Sequence, residues 1–87
     1  MLNLYKNKMM NNLEKYDQVF KESFSLSDSD LNESLTYQSI SQWDSVGHMN
    51  LIVLIEEEFN IMLDTLDIID FSSYQKGIEI LKKYGIE

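Results

Sequence analysis

The chain has 87 residues, is 44% hydrophobic and carries a formal net charge of −8 with no cysteine and no proline. That length makes one domain, residues 1–87, large enough to fold alone and too small for a deep catalytic cavity. Without cysteine there are no disulfides, thiolate metal ligands or cysteine nucleophile. The acid is concentrated: residues 44–71 hold seven carboxylates and no Lys or Arg, whereas residues 1–24 and 72–87 each sum to +1. Such a surface disfavours nucleic acid and anionic membrane and would steer a basic protein partner, although a solvated acidic face is the commoner meaning of such a pattern.

The opening Met1-Leu2-Asn3-Leu4-Tyr5-Lys6-Asn7-Lys8 lacks the apolar run of a signal peptide, and no stretch has transmembrane length. A cytoplasmic monomer is the expectation. Met9, Leu13, Tyr16, Phe20 and Phe24 recur at helical spacing and predict an amphipathic helix over residues 4–24 with these five facing inward. From Ser25 to Gln42 the chain is rich in Ser, Asp and Asn and reads as a long loop pinned by Leu26, Leu31, Leu35, Tyr37 and Ile40. Asp28-Ser29-Asp30-Leu31-Asn32 copies the start of a calcium loop. Its sixth position is Glu33 where a glycine is needed, and its twelfth is Ser39 in place of glutamate, so no metal site is expected.

Trp43-Asp44-Ser45-Val46 opens the most apolar helix, which is expected to end near Glu58. Asp44 is a good N-cap, and the free N–H groups and dipole at that end favour an anion, so a phosphate ester on Ser45 is compatible with the position. At about 100° per residue, Leu51, Ile52, Ile55 and Phe59 share one broad face, and Val46, Met49 and Val53 form a second stripe. Two readings stand for that stripe: further core, or an exposed face offered to a partner beside Ser45. Trp43 is expected to anchor the loop against the bundle, the other role open to it being a contact next to Ser45.

Asp44, Ser45 and His48 hold the side-chain types of a hydrolase triad, but all lie within about one turn, and a triad needs a base aimed at the nucleophile plus an oxyanion hole. A half-buried, hydrogen-bonded His48 is the simpler expectation, and no catalytic residue is assigned. Ile61, Leu63 and Leu66 lead to a brief helical turn at residues 67–70. Ser72 or Ser73 then caps a last helix with Tyr74, Ile78, Leu81 and Tyr84 inward and Gly85 at its end. The fold class is thus all-α: three main helices plus a short one, with a long loop between the first two.

Asp44-Ser45-Val46, the apolar helix after it and Glu56-Glu57-Glu58-Phe59 resemble the Asp-Ser-Leu attachment motif and second helix of acyl carrier proteins. The resemblance runs on through Leu63, Asp67-Ile68-Ile69-Asp70-Phe71, Ser72-Ser73-Tyr74 and Ile78-Glu79-Ile80-Leu81, covering residues 43–84 by motif and residues 4–42 by helix pattern alone. It implies a small four-helix bundle in which Ser45 receives 4′-phosphopantetheine from coenzyme A through a separate, magnesium-dependent phosphopantetheinyl transferase. The arm's thiol would then hold acyl groups as thioesters for acyl-loading and acyl-transfer enzymes with basic docking surfaces. By the same resemblance Asp44 is the flanking motif residue, Val46, Met49 and Val53 are apolar partner contacts, and Glu56 and Glu57 are acidic ones. Gly47, His48 and Asn50 stand where many fatty-acid carriers have further acids, which suggests a stand-alone carrier of a specialised pathway, such as surface-sugar modification or the making of unusual acyl units. The alternative from another class is a small acidic helical adaptor that uses Val46, Met49 and Val53 without a prosthetic group.

Overall fold

A computed structural model describes residues 10–87. Among them lie four α-helices, α1 (Asn12–Phe24), α2 (Ser45–Phe59), α3 (Thr65–Asp70) and α4 (Tyr74–Lys82), with a single 3₁₀ turn at Asp28–Asp30 inside the long α1–α2 loop. The described residues contain no strand. One isolated antiparallel bridge, Thr36 to Ser73, ties that loop to the start of α4.

The first helix begins later than the periodicity predicts. Met10 and Asn11 are not helical, and Asn11 caps the helix by accepting from Glu14 N–H at 2.8 Å while the Glu14 carboxylate takes Asn11 N–H at 3.0 Å. This reciprocal capping box satisfies two backbone donors and fixes the start more strongly than side-chain spacing does. Tyr16, Phe20 and Phe24 are buried as expected, and Val19 joins them. Leu13, predicted inward, is about half exposed at 51%, because the cap places it in the first turn at the rim of the bundle. Met9 and the predicted helical residues 4–9 lie outside the described residues.

The core is aromatic. Phe20 packs edge-on against Trp43 and Tyr74 and stacks on Phe71, while Phe24 stacks on Trp43 with centroids 5.3 Å apart. Leu51, Ile52 and Ile55 bring one face of α2 to this cluster, and Tyr74, Ile80 and Leu81 bring α4. Phe59, Ile78 and Tyr84 pack against it half-buried. Gly77 lets α4 come close: a Cβ there would lie 2.2 Å from the Tyr16 hydroxyl and 2.3 Å from Phe71 Cζ. Tyr16 donates to the Tyr74 carbonyl at 2.7 Å, and Tyr74 donates to Asp17 at 2.5 Å. Burial, with Tyr74 and Asp17 nearby, pushes the Tyr16 hydroxyl well above its ordinary value, and burial with the Asp17 bond does the same to Tyr74.

The long loop is anchored largely as its apolar residues predict. Leu35 is buried, and Leu26, Leu31 and Ile40 pack half-buried on the core. The calcium-like segment spends its carboxylates internally: Asp28 pairs with Lys21 at 2.7 Å and Asp30 accepts from Ser27 N–H at 2.9 Å. Ser73, not Ser72, caps α4, accepting from Lys76 N–H at 2.9 Å. Past its end Gly85 has φ +81°, a left-handed conformation in which its N–H closes on the Lys82 carbonyl. The short α3 is bolted to the C-terminal end of α4 by the buried Asp67, which takes Lys83 Nζ at 2.5 Å and the Tyr84 hydroxyl at 2.6 Å. Those two donors hold the Asp67 carboxyl below its ordinary value.

Candidate functional site

Ser45 is exposed on the first turn of α2. Asp44 is the N-cap, in extended conformation, and its Oδ1 accepts from Gly47 N–H at 2.8 Å. The first intrahelical bond runs from His48 N–H to the Asp44 carbonyl at 2.7 Å, so the amides of Ser45 and Val46 have no acceptor within the helix and favour negative charge at that end. The turn is placed from behind. Gln42 donates from its side-chain amide to the Phe24 carbonyl at 3.0 Å, Gln38 N–H bonds the Trp43 carbonyl at 2.9 Å, and the Trp43 ring is fully buried. Burial of that ring agrees with its reading as an anchor.

Gly47 makes this placement sterically possible, because the Gln42 carbonyl oxygen lies only 2.0 Å from where its Cβ would stand. Sequence reasoning did not find that role. The available signal was a glycine in the first turn of a helix, where alanine is favoured by about 1 kcal/mol, in the absence of any turn to explain it.

His48 is half-buried and hydrogen-bonded, as expected. Trp43 Nε1–H donates to its Nδ1 at 2.9 Å, and its Nε2 meets the Ile68 carbonyl at 2.8 Å. An indole N–H only donates and a carbonyl only accepts, so the ring is neutral with its proton on Nε2. Both nitrogens are engaged away from Ser45, and the Asp44 carboxylate is engaged as a helix cap. The three triad-like side chains are therefore near one another without being arranged as a triad.

The second stripe of α2 is exposed rather than core: Val46 at 70%, Met49 at 50% and Val53 at 46%. Met62, Leu66 and Ile69, on and just before α3, are at least as exposed. Ile69 lines the same cavity as Met49, so the exposed apolar residues near Ser45 are not confined to α2. Glu57 is exposed as expected of an acidic contact. Glu56 is not free in the same way: it is half-buried, and its Oε2 accepts from Leu63 N–H at 2.9 Å, fixing the α2–α3 connection.

A cavity of about 340 Å³ lies beside Ser45, lined by Tyr37, Ser45, His48, Met49, Ile68, Ile69, Phe71 and Ser72. Its walls come from the long loop, α2, α3 and the link to α4. Spacing arguments work within one element and could not assemble that set. Among the described residues no group of three or more His, Asp or Glu side chains could hold a metal ion, and no helix is long and apolar enough to cross a membrane. Compared with family models, with curated proteins and with solved structures, the chain matches none of them.

Proposed function

We propose that the chain is an acyl carrier protein, with Ser45 as the acceptor of a 4′-phosphopantetheine arm delivered by a separate transferase. One observation carries the reading: an exposed serine hydroxyl stands on the first turn of an N-capped helix, between an exposed apolar stripe and a cavity. The residues present fit the group. Ser45 is exposed, and the amides of Ser45 and Val46, without acceptors inside the helix, favour the phosphodiester's charge. When attached, the arm supplies a thiol that holds acyl groups as thioesters.

The chain's own residues do the presenting. Asp44 holds the first turn in place through Gly47 N–H, while Gln42, just ahead of it, ties the chain to the Phe24 carbonyl of α1. Val46, Met49 and Val53 offer a partner an apolar contact, and the acidic surface brings basic partners into register over distances of about a Debye length. The departures at Gly47, His48 and Asn50 favour a specialised pathway over general fatty-acid synthesis.

Because Glu56 also fixes the α2–α3 connection, charge steering is tested at Glu57. Glu57→Lys should weaken association with the transferase, and the loss should shrink as salt is raised, since exposed charges are screened. Equal weakening at low and high salt, measured by binding titration, would count against steering.

The reading itself is tested by intact mass. Incubation with coenzyme A, magnesium and a broad-specificity phosphopantetheinyl transferase should add one phosphopantetheine to the parent chain and nothing to Ser45→Ala. No gain with several transferases, in a folded protein, would leave the adaptor reading, which requires nothing of Ser45.

A further inference from the structure

The His48 bridge joins two elements that have little else between them. Trp43 lies in the core ahead of α2, and Ile68 lies in the last turn of α3. The Ile68 carbonyl is among the last four of its helix, so it has no intrahelical partner, and His48 Nε2–H satisfies it. The short α3 is weakly held by packing: Leu66 is 78% exposed and Ile69 70%, and Ile68 is half-buried. Its fixed points are therefore largely polar, Asp67 toward Lys83 and Tyr84 on one side and the Ile68 carbonyl toward His48 on the other.

The bridge also spans the Ser45 cavity. His48 and Met49 form its α2 wall, and Ile68 and Ile69 form its α3 wall. The His48 ring is held from three sides, side by side with Trp43 and tilted 14° from its plane, and edge-on to Tyr37 at 5.7 Å and Phe71 at 6.3 Å. A ring fixed in one tautomer by two bonds of opposite sense cannot swing away from one partner without giving up the other.

We propose that His48 is a positioning residue that latches α3 to the first turn of α2 and thereby keeps the far wall of the Ser45 cavity in place. With the latch intact, the wall moves only when the Ile68 bond opens, so local opening of α3 and opening of the cavity are one event. The latch rests on hydrogen bonds present in the unmodified chain. Its consequence for a carried group, that His48 sets how far the cavity yields to it, rests on the carrier reading of Ser45.

Native-state hydrogen exchange on the unmodified chain tests the latch, so a failure to attach the arm would leave this result standing. His48→Phe keeps an aromatic ring and loses both bonds. The amides of Ile68, Ile69 and Asp70 should then exchange about tenfold faster relative to those of α1 and α4, which share only the general loss from the unpaired Trp43 N–H. His48→Gln, which carries one acceptor and one donor, should recover part of the protection. Parent rates in α3 of a folded His48→Phe, or an equal rise in every helix, would overturn the proposal. Should His48→Phe fail to fold, the ¹⁵N spectrum of the parent imidazole decides. One protonated and one unprotonated ring nitrogen, with the proton on Nε2, supports the latch, and averaged tautomers overturn it.

Discussion

Trp43→Ala should melt on the order of 20 °C below the parent chain and still accept modification at Ser45 in the cold. The indole is fully buried, stacks on Phe24, meets Phe20 edge-on at 5.6 Å and donates its N–H to His48. Truncating a buried aromatic costs about 3–5 kcal/mol, the lost transfer energy plus the cavity left behind. A domain of this size has roughly 4–13 kcal/mol in total, so the variant stays folded in the cold when the parent holds more than about 5 kcal/mol. The Asp44 cap on Gly47 N–H does not pass through the indole, which is why Ser45 should remain a substrate while the fold persists. Thermal melts followed by circular dichroism, beside the mass assay in the cold, separate the outcomes. An unchanged melt with failed modification would make Trp43 a contact beside the arm rather than an anchor.

Particular residues show what could be read from the chain and what could not. Tyr16, Phe20, Phe24 and the Leu51–Ile52–Ile55 face were legible because a helix buries one side at a fixed period, and apolar residues repeat at that period. Helix ends depend on local hydrogen bonds. Ser73 could be narrowed only to one of two serines, and the Asn11–Glu14 box went unread because the repeat from Met9 to Phe24 runs straight across it. For the candidate site, Ser45, Asp44 and the Val46–Met49–Val53 stripe were legible from their order along one helix, whereas the exposure of that stripe was not, because spacing fits core and open surface alike. Tyr37, Ile68 and Ser72 were not, since they meet Ser45 only after the loop and α3 have folded over α2. Glu56 shows the same limit: spacing puts it beside Glu57, and only the turn after α2 brings Leu63 N–H to its carboxylate.

Gly47→Ala should damage both stability and the modification of Ser45, and the second defect should survive conditions that correct the first. The added Cβ would stand 2.0 Å from the Gln42 oxygen, 3.2 Å from its carbonyl carbon and 3.3 Å from Phe24 Cε1. The first of these is backbone, and it cannot step aside alone. Gln42 is tied to the Phe24 carbonyl, and the next residue is the buried Trp43, whose N–H bonds Ile40 and whose carbonyl takes Gln38 N–H. Alanine gains about 1 kcal/mol over glycine in helix propensity, but overpacking against a fixed neighbour costs about 1–3 kcal/mol and sometimes more. A net loss of up to about 2 kcal/mol follows, or up to roughly 10 °C in the melt. Relief requires the first turn of α2 to tilt away from the loop, which moves the Asp44 cap and the Ser45 hydroxyl together. A misplacement near 1 Å can cost a factor of about 100 in a positioned reaction, so the transferase's kcat/KM should fall by at least about tenfold even in the cold. Trp43→Ala, by contrast, should recover its modification rate there, and the pair of variants separates a residue that holds the bundle from one that aims the serine. A more stable Gly47→Ala with parent kinetics would mean that propensity outweighs the contact, and that the loop and the first turn of α2 are not held so close.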